Sequence, residues 1–180
     1  MERTPVQKLA RVLRVMVLVM FGCNILALPI VPSVVYWYAS IEYLPRKINL
    51  LFLWLNGLSK VWKRSPYTLM LALFLVVSGT CTAVILWQGK RVLDTILKGE
   101  PFTLDNAQNL KRAAVCCFVI SGAALVRLIW GFAAYQSIMP LLSYNALFVP
   151  IFLMAGLLCM VMSALFRQAA ELKAENDLTI

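Results

Sequence analysis

Four stretches of this chain run for more than twenty residues almost without charge, and short clusters of basic and polar residues separate them. The first, about Val15 to Tyr38, contains no charged side chain. Coiled as a helix rising 1.5 Å per residue it is roughly 35 Å long, enough to cross about 30 Å of hydrocarbon with some tilt. Residues 67–87, 113–135 and 146–166 repeat the pattern, with Arg127 as the one interruption. Backbone groups in hydrocarbon must bond within their own segment, so each stretch is predicted as a helix. The expected fold is all-α: an integral membrane four-helix bundle, one domain spanning residues 1–180.

Between the first two spans, Leu50 to Leu55, Leu58 and Trp62 form a shorter apolar run. The uncharged residues between Lys47 and Lys60 are too few to cross a bilayer. Trp and Lys/Arg bracket the run, which predicts an interfacial helix over residues 46–64, with a re-entrant segment as the alternative.

Residues 88–112 read as a helical hairpin. Val92, Leu93, Ile96 and Leu97 continue the second helix on one face, and Gly99 supplies a left-handed stop. Pro101 blocks continuation, Thr103 is placed to cap the next helix, and Asp105 complements its dipole. Phe102 occupies the preceding staple position. The tail, residues 167–180, is polar and prone to helix up to about Lys173.

Composition agrees with lipid as the main solvent: 62% of residues are hydrophobic and the mean hydropathy is +0.81. The net charge of +9 sits in clusters flanking the spans, the pattern that sets membrane orientation and not that of a nucleic-acid surface. With both termini inside, eleven basic residues lie inside and five outside, so the positive-inside rule selects a cytoplasmic N-terminus and C-terminus. Histidine is absent, which removes the usual neutral-pH acid/base group, the commonest metal ligand and every Ser-His or Cys-His pair. Cys23, Cys81, Cys116, Cys117 and Cys159 all fall in apolar runs without a CxxC. No enzyme activity, metal or cofactor is expected.

Two stretches, GEPFTLDNAQNLKR from Gly99 and FRQAAELKAENDLTI ending at Ile180, resemble the bacterial membrane family catalogued as domain of unknown function 2975. The positions that carry the resemblance are Gly99, Phe102, Thr103, Asn106, Leu110 and Arg112 on the first, and Glu175, Asn176, Asp177, Leu178, Thr179 and Ile180 on the second. The resemblance implies a bacterial inner-membrane protein, often encoded beside a very small Cro-type helix-turn-helix regulator. Both stretches fall on the expected cytoplasmic face, where such a partner has access. Taken alone, the hairpin has local stop, turn and cap explanations, and the tail is either a frayed end or a docking segment.

Arg127 is the one charge in a span and should face protein or water. By height it matches the proline-broken section of helix 1, where Pro29 and Pro32 release carbonyls that suit a guanidinium, with Glu42 as a charged alternative. It reads either as an architectural clamp or as the contact for an anionic ligand. Asn24 is expected to make an interhelical hydrogen bond, and Ser78, Thr80 and Thr82 to bond carbonyls of their own helix.

Two functions compete. One is a membrane-embedded sensor or anchor that binds the small regulator through the hairpin and tail. The other is a transporter or immunity-type protein for an amphiphilic or anionic compound using Arg127. Homo-oligomers are compatible with either.

Overall fold

In a computed structural model of the chain, residues 5–31, 66–135 and 144–177 are described. They form four long helices: α1 (Pro5–Ala27), α2 (Pro66–Lys98), α3 (Leu104–Tyr135) and α4 (Tyr144–Asp177). There is no strand among the described residues. Each helix is long and apolar enough to cross a membrane, which makes this a multi-pass membrane protein with an all-α bundle fold. The expected interfacial segment, residues 46–64, lies outside the described residues.

The helices pack in the order of the chain: α1 on α2, α2 on α3, and α3 on α4. Burial follows from that order. Ala107, Ala113, Ala114, Cys117, Ile120, Ser121 and Ala124 of α3 are buried, because α3 has a neighbour on two sides. In its most apolar stretch α1 has no buried residue, against a third of those in α3. Leu9, Val19, Met20 and Leu26 on α1, like Leu158 and Val161 on α4, are exposed and suit lipid tails.

Lipid is as apolar as leucine, so these helices associate through close packing and hydrogen bonds. Two serines do this between α3 and α4. Ser121 Oγ donates to the Val149 carbonyl at 2.9 Å, and Ser163 Oγ donates to the Ala107 carbonyl at 2.6 Å. The first lies beside Pro150, inside α4, which lacks the N–H that the Ala146 carbonyl would otherwise receive. Between them the two backbones approach at Gly156, where a Cβ would stand 2.7 Å from the Phe118 ring. Between α1 and α2 the fit is Leu28 against Gly79, with 3.2 Å to an added Cβ, and Phe21 against Trp87, ring centroids 5.5 Å apart.

Arg14 Nε lies 2.8 Å from Asp94 Oδ1, tying α1 to α2 at the hairpin end, and Lys90 approaches the other carboxylate oxygen at 3.6 Å. The Arg14 N–H has no hydrogen-bond partner, so the contact is an ion pair and not an aligned hydrogen bond. Both side chains are partly exposed, and solvent screening limits the contribution of the pair to about 0–1 kcal/mol. At its other end α1 passes into a single 3-10 turn, Leu28–Ile30, which contains Pro29.

Overpacking at the α3–α4 contact gives a direct check. Gly156→Leu should lower stability in detergent by about 1–3 kcal/mol, read as a lower thermal midpoint. Gly122→Leu, where an added Cβ meets nothing within 4 Å, should leave the midpoint unchanged.

Candidate functional site

The α2–α3 turn is built as its residue types dictate. Gly99 has φ 86°, and the last turn of α2 closes on it: the Gly99 N–H donates to the Ile96 carbonyl and the Glu100 N–H to the Thr95 carbonyl, each at 3.1 Å. These two bonds satisfy carbonyls left over at the helix end, and a Cβ at Gly99 would strain the left-handed backbone that makes them. Thr103 Oγ1 then accepts from the Asn106 N–H at 3.3 Å, the expected N-cap, and Asp105 stands in the first turn of α3. Phe102, expected as a local staple, instead packs across to Phe166 of α4, with centroids 5.6 Å apart. A ring on the neighbouring helix offers it more surface than Ala107 of its own.

Asn106 holds this end together. It is fully buried, and its Nδ2 donates both to Thr95 Oγ1 at 2.6 Å and to the Pro101 carbonyl at 2.7 Å. Thr95 Oγ1 in turn donates to the Val92 carbonyl at 2.7 Å. One side chain thus links α2, the turn and α3. Its own Oδ1, equally buried, has no hydrogen-bond partner among the described residues.

Beside Asn106 opens a cleft of about 330 Å³ between α2 and α3, lined by Arg91, Asp94, Thr95 and Lys98 from α2 and Asp105, Asn106, Gln108, Asn109 and Arg112 from α3. The floor is polar and buried at Asn106 and Asn109, and the rim is charged. The antiparallel register set by the Asn106–Thr95 bond stacks the lining in layers. Arg91 and Arg112 are nearest the spans, Asp94, Thr95, Asn106 and Asn109 come next, and Lys98 and Asp105 are at the tip. Lys90 Nζ lies 4.8 Å and Arg91 Cζ 5.9 Å from the Trp87 ring centroid. Such cations on an indole mark the boundary between hydrocarbon and headgroups.

Of the residues singled out in the sequence, Asn106 and Arg112 line this cleft and Gly99, Phe102 and Thr103 shape the turn beside it. Leu110 is half-buried on α3. Arg91, Asp94, Lys98 and Asn109 were not anticipated. Their signal was a polar stripe at helical spacing on both sides of the turn, 91, 94, 95 and 98, then 105, 108, 109 and 112.

Glu175 and Asn176 are exposed near the end of α4, which extends through Asp177, four residues past the expected Lys173. Leu178, Thr179 and Ile180 lie outside the described residues.

Arg127 of α3 meets an aromatic ring of α2. Its guanidinium carbon stands 5.1 Å from the centre of the Phe74 ring on α2, and Phe74 in turn meets Phe148 of α4 edge-on at 6.0 Å. Pro29 lies in the 3-10 turn that follows α1, and that turn also packs on α2. Pro32 and Glu42 lie outside the described residues. Asn24 Oδ1 is buried with no hydrogen-bond partner among the described residues. Ser78, Thr80 and Thr82 bond the carbonyls of Leu75, Val76 and Ser78 in their own helix, as anticipated.

Replacing Asn106 by Ala removes both donors from the turn and strands the Pro101 carbonyl, a cost of about 1–3 kcal/mol. Faster trypsin cleavage at Lys98 and faster amide exchange across residues 99–106 are the expected readouts, with the spans unaffected.

No curated protein and no solved structure matches the chain. The family described as protein of unknown function (DUF2975) matches residues 10–180, a stretch that takes in most of α1, the whole of α2, α3 and α4, and the Asn106 turn. With nearly its whole length matched, the chain belongs to that family.

Proposed function

We propose that this protein is a membrane-embedded sensor or anchor that binds a small cytoplasmic helix-turn-helix regulator through the α2–α3 hairpin and the polar end of α4. The role is non-catalytic. The observation that carries it is the form of α4. After its last apolar turn the helix runs on from Arg167 to Asp177, about 15 Å at 1.5 Å per residue. Residues 171–176 are all exposed, and Leu172 among them is 63% exposed. An exposed leucine on a polar helical arm, followed by Leu178 and Ile180, supplies apolar anchors of the kind that seat a helix in a partner's groove. The Arg167–Glu171 pair, 2.9 Å, supports the helix from its own surface.

The distribution of basic residues supports placing this arm in the cytoplasm, where a regulator of transcription resides. The resemblance of the two matched stretches supports the choice of regulator. The hairpin adds a second surface at the same end of the bundle, because Phe102 joins it to Phe166 at the base of the arm.

The test is co-purification of a small Cro-type helix-turn-helix regulator with the detergent-solubilised full chain. Retention is expected, and deletion of residues 175–180 should reduce it at least tenfold with thermal stability unchanged. Loss of retention in the full chain itself would refute the reading.

A second reading rests on Arg127, a half-buried cation inside a span with its charge over an aromatic face. There it serves as the anion contact of a transporter or immunity-type protein. Anion flux in liposomes that Arg127→Leu abolishes would favour this reading over the first.

A further inference from the structure

The cleft between α2 and α3 has a depth as well as a chemistry. On α2, Trp87 marks the edge of the hydrocarbon, and Arg91 follows about 6 Å beyond it at 1.5 Å per residue. On α4 the apolar surface reaches further: Leu165 is 52% exposed, and Phe166 pairs with Phe102 at the hairpin tip. The cleft lies between these two levels. The cleft therefore opens among headgroups at its Arg91 and Arg112 end, in a layer about 6 Å or more thick on each side of the hydrocarbon.

The charges are ordered along that depth. Arg91 from α2 and Arg112 from α3 both line the cleft at its end nearest the spans, and both are exposed. Asp94 is already engaged by Arg14 and Lys90, which leaves the cleft cationic. About one helical turn further out is the buried Asn106, whose Oδ1 lacks a donor. A diacyl phospholipid presents its groups in the same order: acyl chains, phosphate, then an alcohol end that in some headgroups carries N–H or O–H.

We propose that this cleft is a phospholipid site for the leaflet at the hairpin end, with the phosphate between Arg91 and Arg112 and a donor-bearing headgroup end directed at the Asn106 layer. Arginine suits the first role because its planar fork bonds phosphate oxygens bidentately. The second role selects among lipids: phosphatidylglycerol and phosphatidylethanolamine carry a donor beyond the phosphate, and phosphatidylcholine does not. The inference rests on the chain being a membrane protein and is independent of any regulator.

The test is mass spectrometry of the intact, delipidated full chain in detergent, titrated with these three lipids of matched acyl chains. Phosphatidylglycerol and phosphatidylethanolamine should bind at least tenfold tighter than phosphatidylcholine. The double variant Arg91→Gln/Arg112→Gln should weaken binding of all three lipids at least tenfold at unchanged helicity. Lys111→Gln, an exposed cation outside the cleft, should bind them as the unmodified chain does. Equal binding of all three lipids to the unmodified chain would overturn the proposal, and this comparison needs no variant. So would an equal loss in Lys111→Gln, which makes the effect general charge. Competition by millimolar inorganic phosphate as strong as by lipid would overturn it in favour of a soluble anion, and displacement by an acidic peptide in favour of a protein partner.

Discussion

In a bilayer, helices gain nothing by hiding apolar surface from one another, so what holds α3 against α4 must be contact that lipid cannot imitate. Two serine hydroxyls provide it. Ser121 and Ser163 each reach across to a backbone carbonyl on the facing helix, fourteen positions apart along α3, and Gly156 lets the Phe118 ring lie against the α4 backbone between them. The buried small residues of α3 fit this arrangement, since bulk at Ala114, Cys117 or Ala124 would hold the helices apart. A carbonyl can accept such a bond while keeping its helical one, because it has two lone pairs.

The hairpin end is held by a different logic. Here water or headgroups are near, and the structure spends a fully buried asparagine on joining two helices and the turn between them. Polar networks of this kind fix one arrangement against alternatives, at the risk of leaving an acceptor unserved, and Asn106 Oδ1 is such an acceptor. The result is a rigid polar corner on an otherwise apolar molecule. The cleft, the paired arginines and the base of the α4 arm all take their positions from it.

Much of this was legible from residue order. Span positions follow from hydropathy, the Gly99 stop and Thr103 cap from backbone chemistry, and the self-bonded hydroxyls of α2 from helix geometry. What could not be read was lateral. Height along a helix can be counted from sequence; which side chains stand beside Arg127 depends on packing order, and the Phe74 ring of α2 is one neighbour that order supplies. Pro150, whose neighbour Val149 receives the Ser121 bond, was passed over for the more conspicuous pair Pro29 and Pro32. The polar stripe around the cleft was visible in principle, yet charges next to a span read first as orientation signals.

The sequential packing of the helices bears on how the protein is made. A helix released into the membrane needs only the one synthesised before it to find its seat: α2 receives α1, α3 receives α2, and α4 closes on α3 through its serine contacts. Among the described helices the main contacts are between neighbours in the chain, so loop closure is cheap at every step. Biogenesis can then proceed as a zipper drawn in the direction of translation, with the polar arm of α4 emerging after its scaffold is already in place.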